Sequence, residues 1–423
     1  MSIARLSVKA ATNFGVGYKI GAAFKEHFHE RCASAASKRL KQFYDSDHGR
    51  NVYENALLST ERCYPNIVQE LRGLSDGSEV PFENLFLHSL ASEIWLYYLD
   101  KDANPSPQAT FNPPKKQENL RCTDILVNSR SCRIIGHNED WQRECYGKGY
   151  VVDVEIDKQS NKPVNKTTSV KPVGKYNQTE SACSETASHT KPHHKHKSIQ
   201  QKISERNEQF VSFATPCELT GFTFAMNKYF VFTVNSLVPK ESNTEGVPIA
   251  VLIRALMGAR SIEECVQVMQ NEPFGCCYGI NLNIASIHTN EMWSMEVYSS
   301  KDGSSVSLKQ LPFEDSETPQ NHYVHTNHYK YTPGALELYD NLLYSCARHF
   351  TALHQDTPKS VKDVCRILGD TSNSEGPIYR QVVPTEKTAT IATGLFDLKS
   401  KLMHVFDKNP NLSDPCFSIP FLK

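Results

Sequence analysis

The sequence predicts an α+β protein built as a layered sandwich with antiparallel sheets. Three observations predict it. The first hundred residues place apolar side chains at helical spacing. Beyond residue 120, short apolar runs come in pairs joined by polar turn residues, which is the pattern of hairpins. Helical spacing returns at 248–269 and 336–368, each time followed by another pair of strands. Blocks of helices alternating with blocks of hairpins favour helices packed on antiparallel sheets over a parallel βαβ sheet.

In the N-terminal region, Gly15, Gly17 and Gly21 punctuate the entry, and residues 22–43 form one amphipathic run with Phe24, Phe28, Leu40 and Phe43 among charges. Residues 54–74 continue in helical style, with a stop expected at Gly73-Leu74-Ser75-Asp76-Gly77. Pro81 predicts a fresh helix start that runs toward Trp95, Tyr97 and Tyr98. Residues 101–119, rich in Pro, Asn, Lys and Gln, read as an exposed linker.

The linker feeds directly into Arg121-Cys122-Thr123-Asp124. Residues 122–127 and 134–141 read as two strands of a hairpin turning at Asn128-Ser129-Arg130-Ser131. Antiparallel pairing brings Cys122 and Asp140 to the same end of the sheet, a thiol and a carboxylate on rigid neighbours. Residues 151–156 read as a strand. Residues 157–208 are almost free of large apolar side chains, cannot offset their ordering entropy by burial, and are expected to form a disordered polar insert. His189, His193, His194 and His196 lie in it without the Cys or carboxylate companions of a metal site, so no metal is assigned. Strands are expected at 222–226, 229–235, 278–287, 292–298, 388–395 and 402–406, and helices at 248–257, 261–269, 336–354 and 361–368.

The net charge of −1 gives no reason to expect nucleic acid or an anionic membrane as partner. The opening residues show no signal-peptide core, and no stretch approaches the ~18–20 apolar residues of a membrane span. Thirteen cysteines without paired spacing are then expected to be reduced thiols of a cytoplasmic protein.

Several polar residues stand where a purely structural role is odd. Asn235 ends the most apolar strand, where its amide can serve an oxyanion or simply form a turn. Arg348 lies on a helix with an otherwise fairly apolar face and can hold a carboxylate such as Asp140. His325-Thr326-Asn327-His328 offers a histidine for a Cys–His pair.

Taken together, Cys122-Thr123-Asp124, Gly136-His137-Asn138-Glu139-Asp140-Trp141, Phe232-Thr233-Val234-Asn235, residues 253–261, His325-Thr326-Asn327-His328 and residues 393–398 give the chain its resemblance. It resembles the cysteine N-terminal-nucleophile (Ntn) hydrolases related to acyl-coenzyme A:6-aminopenicillanate acyltransferase, across most of its length. The resemblance implies a four-layer αββα sandwich and a precursor that cuts itself between Arg121 and Cys122. Residues 1–121 would become a small subunit and 122–423 a large one, with the 157–208 insert inside it. The freed α-amine would act as base for its own thiol, its ordinary pKa of ~7.7–8.0 suiting proton transfer near neutrality. By motif position Asp140 would orient that amine, Asn235 would form the oxyanion hole, and Arg348 would support the site. No cofactor is implied.

The implied activity is an amidohydrolase that cleaves N-β-alanyl amines of the β-alanyl-dopamine or carcinine type, its partners being the small N-acyl amine and its own N-terminal fragment. Other readings stay open. The acyl group could pass to an amine instead of water. Arg121 stands where such proteins usually carry the more permissive glycine, which suits an unprocessed homologue acting as a binding protein. A peptidase pairing Cys122 with His325 or His328 would need no chain cleavage.

Overall fold

The structure, a computed structural model, describes residues 3–103, 121–158, 197–301, 303–316 and 318–423. The chain opens on strand β1 (Ala4–Ala10) and continues through helices α1 (Asn13–Ala23), α2 (Lys25–Cys32), α3 (Ala35–Tyr44), α4 (Asp47–Cys63), α5 (Pro65–Ser78), α6 (Phe82–Ser89) and α7 (Ala91–Ala103). The hairpin β2 (Arg121–Asn128) and β3 (Arg133–Gln142) comes next, then β4 (Tyr150–Ile156), α8 (Ile199–Glu205) and β5 (Glu208–Ala214). Strands β6 (Phe224–Asn227) and β7 (Phe230–Leu237) lead into α9 (Ile249–Leu256) and α10 (Ile262–Gln270). Four strands follow: β8 (Gly279–Ser286), β9 (Met292–Ser300), β10 (Gly303–Gln310) and β11 (Tyr323–His325). The chain ends with α11 (Tyr339–Leu353), α12 (Val361–Leu368), β12 (Thr388–Asp397), β13 (Leu402–Phe406) and β14 (Phe417–Pro420).

These strands make an eight-stranded sheet, β1-β4-β5-β6-β7-β8-β9-β10, and a six-stranded sheet, β11-β2-β3-β12-β13-β14. Three apolar clusters set the layers. The first packs the N-terminal helices with α9 and α10 (Phe28, Leu71, Phe86, Leu252) onto one face of the larger sheet (Val152, Phe210, Phe232, Leu282). The second joins the inner faces of the two sheets, through Leu126, Ile135 and Val405 on one side and Val211, Phe213 and Val231 on the other. The third seats α12, through Val364, Cys365 and Leu368, on Ile125, Ile134 and Leu395 of the smaller sheet. Helix, sheet, sheet, helix is the αββα sandwich of the Ntn-hydrolases.

Four expectations need correction. Gly73 and Gly77 do not stop a helix; they lie inside α5, where they let α1 approach. A Cβ on Gly77 would come 2.1 Å from the Tyr18 carbonyl oxygen, and one on Gly17 1.9 Å from that of Glu70. The run 22–43 is three helices, α3 being restarted by the Ser34 side chain, which accepts the Ser37 N–H. The polar insert does not extend to 208. Ser198 and Gln201 form a capping box that starts α8, whose Ile199 and Ile203 are buried, and Glu208 begins β5. The rest of that insert, with its four histidines, and nearly all of the linker at 101–119 lie outside the described residues. Strand pairing is also not wholly antiparallel, because β1, hidden in a region read as helical, pairs parallel with β4.

The described cysteines are all free thiols. Among the described residues no helix is long and apolar enough to cross a membrane.

Candidate active site

The β2–β3 register places Cys122 opposite Glu139 and Asp124 opposite His137. Since side chains alternate across a strand, Cys122, Asp124, His137 and Glu139 all face inward, between the sheets. Thr123, Asn138 and Asp140 face outward toward α11 and α12. The inner and outer sets do different things.

On the inner face, Asp124 is buried and collects donors from both sheets. The His137 Nδ1 lies 2.5 Å from its Oδ1, Asn235 Nδ2 donates to Oδ1 at 3.1 Å, Asn283 Nδ2 donates to Oδ2 at 2.6 Å, and the Thr233 hydroxyl also donates to Oδ2. The other ring nitrogen of His137 meets Glu139 Oε2 at 3.2 Å, and that same oxygen lies 4.0 Å from Cys122 Sγ. Burial alone would discharge His137, but the Asp124 and Glu139 carboxylates outweigh it and raise the imidazole to about 10. Burial tends to raise Asp124, yet His137 and the hydrogen bonds hold it below the usual carboxylate range. Glu139 is raised, by burial and by its acidic neighbours, against the pull of His137. Burial and the carboxylates of Glu139, Asp140 and Asp124 keep the Cys122 thiol well above its ordinary range, with Arg348 the opposing influence. The thiol is therefore protonated and needs a base. His137, already cationic at neutral pH, is not that base. Cys122, His137 and Glu139 offer ligand atoms within 4.8 Å of one another. Both nitrogens of His137 are engaged by carboxylates, so these residues form an ion network rather than a metal centre.

On the outer face, Arg348 is buried on α11. Its Nη1 donates to the Cys122 carbonyl and, at 2.9 Å, to the Thr123 hydroxyl, while its Nη2 donates to Asn327 Oδ1 at 2.7 Å. The same Asn327 oxygen accepts the Cys122 backbone N–H at 2.9 Å, and its Nδ2 donates to the Ser236 carbonyl at 2.9 Å. Asp140 Oδ1 accepts the Thr390 hydroxyl at 2.5 Å from β12, and Asp140 offsets in part the burial that lowers Arg348 to about 10.

Of the residues singled out from the sequence, Cys122, Asp140 and Arg348 thus share one end of β2 and β3. Asn235 stands farther back. Its amide is spent on Asp124, because β7 aims it across the gap at a buried carboxylate that needs donors. The side-chain amide at Cys122 is that of Asn327, which lay in a quoted motif without a role. His325 pairs with Glu296 at 3.1 Å, and His328 Nδ1 meets the Ser345 hydroxyl at 2.8 Å, so neither is bonded to Cys122. Burial together with neighbouring cations and histidines pushes His328 down to about 3.

Two small cavities are candidates for a substrate site. One, of about 290 Å³, is lined by Tyr344, Tyr379, Arg380, Glu386 and Thr388 beside the strand that carries Thr390. The other, of about 250 Å³, is lined by Phe43, His48, Glu93, Tyr97, Asn243 and Cys277. Next to Cys277 stands Tyr278, which feels the charges of both Glu93 and Cys122 and is bonded to Ser236.

The family profile of acyl-coenzyme A:6-aminopenicillanic acid acyl-transferase matches residues 184–412. That span is more than half of the chain. The chain belongs to this family. The matched stretch holds Asn235, Asn327 and Arg348. The chain is also similar to the beta-alanyl-dopamine/carcinine hydrolase of Drosophila melanogaster, 25% identical, with 97% of this chain and 94% of that protein covered. That likeness runs over nearly the whole chain and so includes the β2–β3 hairpin, whereas the family match begins after the hairpin and leaves Cys122 outside it.

Proposed function

We propose that this member of the acyl-transferase family is a self-processing cysteine amidohydrolase that releases β-alanine from N-β-alanyl amines. The observation that carries the reading is the setting of Cys122. Its N–H, carbonyl and thiol are each held by a different polar group, Asn327, Arg348 and the Glu139 side, at the junction between the helical N-terminal segment and the core.

In the uncut chain the Cys122 thiol attacks the Arg121 carbonyl, with Glu139 the carboxylate placed to take the thiol proton. The C–N bond breaks, the Cys122 nitrogen becomes an amine, and water hydrolyses the thioester to leave Arg121 as a carboxylate. In the mature enzyme this amine accepts the thiol proton, and the thiolate attacks the substrate carbonyl. The amine leaving group departs with that proton. Water then cleaves the acyl-cysteine to β-alanine and the free thiol. Asn327 and Arg348 hold the Cys122 backbone on either side of the thiol, the first accepting its N–H through Oδ1 and the second donating to its carbonyl, and Asp140 sets the outer-face electrostatics that Arg348 feels.

Glu93 supports a cationic acyl group. Its Oε1 accepts the Ile249 N–H at 3.0 Å, its buried Oε2 has no hydrogen-bond partner among the described residues, and the residue is one of those lining the aromatic cavity. Burial raises this carboxyl to about 7. An ammonium group would pair it and restore its charge.

The deciding experiment is the intact mass, under denaturing conditions, of freshly purified wild type beside Cys122→Ala. Wild type is expected as fragments of residues 1–121 and 122–423, the variant as one chain, and only wild type should release amine from β-alanyl-dopamine or carcinine. One uncut chain in both samples would remove the α-amine mechanism. A cut wild type that hydrolyses no β-alanyl amide but transfers acyl groups between amines would redirect the activity to acyl transfer.

A further inference from the structure

Cys32 at the end of α2, His88 in α6 and Cys217 in the loop after β5 converge outside the site described above. Their ligand atoms lie within 4.8 Å of one another, and the two sulfurs are 3.7 Å apart. A tetrahedral zinc ion with bonds of ~2.3 Å to sulfur separates two thiolates by about 3.8 Å, whereas a disulfide needs ~2.05 Å. A thiol–thiol hydrogen bond also fits 3.7 Å but leaves the histidine unexplained. His88 is 4% exposed, its Nε2 faces the Ser37 hydroxyl at 3.0 Å, and its Nδ1 has no hydrogen-bond partner among the described residues. Such a buried orphan nitrogen costs roughly 1–3 kcal/mol unless something binds it. A cavity of about 210 Å³, lined by Cys32, Ser37, Lys41, Asn84, Leu87 and His88, gives an ion its way in.

We propose that Cys32, His88 and Cys217 form a binding site for a thiophilic transition-metal ion, zinc in the first instance, with the fourth position open to water from the cavity. Binding releases two protons from the thiols, and two thiolates balance the dication with no change in oxidation state. Burial and the nearby Arg31 hold His88 neutral, the form that ligates. The ligands come from both sides of Cys122, Cys32 and His88 before it and Cys217 after it. The metal would therefore cross-link the helical segment to the core whether or not the chain is cut.

The test uses the full-length protein, stripped of metal under reducing conditions, loaded with zinc, desalted and assayed for metal content. About one zinc per chain is expected for wild type and for Cys346→Ser, whose thiol is exposed elsewhere. Cys32→Ser and His88→Gln should each weaken binding by roughly tenfold or more. Cobalt(II) in place of zinc should give thiolate charge-transfer bands and tetrahedral d–d absorption in wild type, and zinc should protect Cys32 from alkylation. The protection assay needs no variant, so a poorly folding Cys217→Ser does not block the test. Equal zinc uptake by wild type and Cys32→Ser, marking an adventitious ion only, overturns the proposal. So does a wild type that takes up no zinc, including one found two hydrogens lighter with Cys32 and Cys217 joined.

Discussion

At the scale of single residues, the site divides labour by strand face. Inward side chains hold charge near the thiol, and outward ones hold the backbone of Cys122. His137 gives this a pH signature. Its folded pKa of about 10 exceeds the ordinary 6.5, so its stabilising contribution is fully present below about pH 6.5 and is lost as pH rises through about 10. Melting temperature should therefore fall between those limits more steeply in wild type than in His137→Gln, and equal slopes would show that the imidazole is not charged. Glu93 gives a second residue-scale expectation. Glu93→Gln should raise KM for β-alanyl-dopamine by about tenfold, the worth of ~1.4 kcal/mol, and leave KM for a neutral acyl analogue nearly unchanged. Cys122, Asp140 and Arg348 were legible in the sequence because polar residues at strand ends and on an apolar helix face are out of place. Asn327 was not assigned, since only the fold shows which of two asparagines reaches the cysteine. Nothing local separates Asn235 on β7 from Asn327 after β11.

At the scale of elements, the α1–α5 pair is the most exacting contact. Gly17 and Gly21 on α1 face Gly73 and Gly77 on α5, each filling the space a Cβ would take. Gly77→Ala should destabilise the protein by roughly 1–3 kcal/mol, read as a lower midpoint in urea unfolding. An unchanged midpoint would mean the helices can move apart freely. In the sequence these glycines read as a stop because glycine weakens a helix interior, and the compensating contact is more than fifty residues away. The same limit hid β1 and β5. β1 has only seven residues with charged positions exposed at the sheet edge, and β5 follows directly on the polar stretch. The β2–β3, β6–β7, β8–β9 and β12–β13 hairpins were legible because their pairing partners are adjacent in sequence, whereas β10 and β14, which extend β9 and β13, carry too few apolar residues to read as strands.

For the whole molecule, the helical segment before Cys122 is woven into the core rather than laid upon it. β1 completes the edge of the larger sheet, and buried Arg254 on α9 joins Glu70 of α5 to Glu208 of β5 at 2.7 Å each. Fragments produced by cleavage at Cys122 should therefore co-elute as one species on native gel filtration and separate only in denaturant. Arg254→Ala, which takes the shared cation from two buried carboxylates and leaves Glu70 with only neutral donors such as Asn13, should cost roughly 3–5 kcal/mol and bring that separation to lower denaturant. Wild-type fragments that part without denaturant would contradict this picture.

The ladder pairing of Arg121 with Asp140 has one more consequence. A protease must bind its target as an extended strand of its own, and here that edge is already taken by β3 on one side. The 5% exposure of Cys122 leaves little else to grip. On the proposed self-processing reading, outside proteolysis does not replace the cut before Cys122, so the yield of processed protein in any expression host should depend on the chain itself and not on the host's proteases.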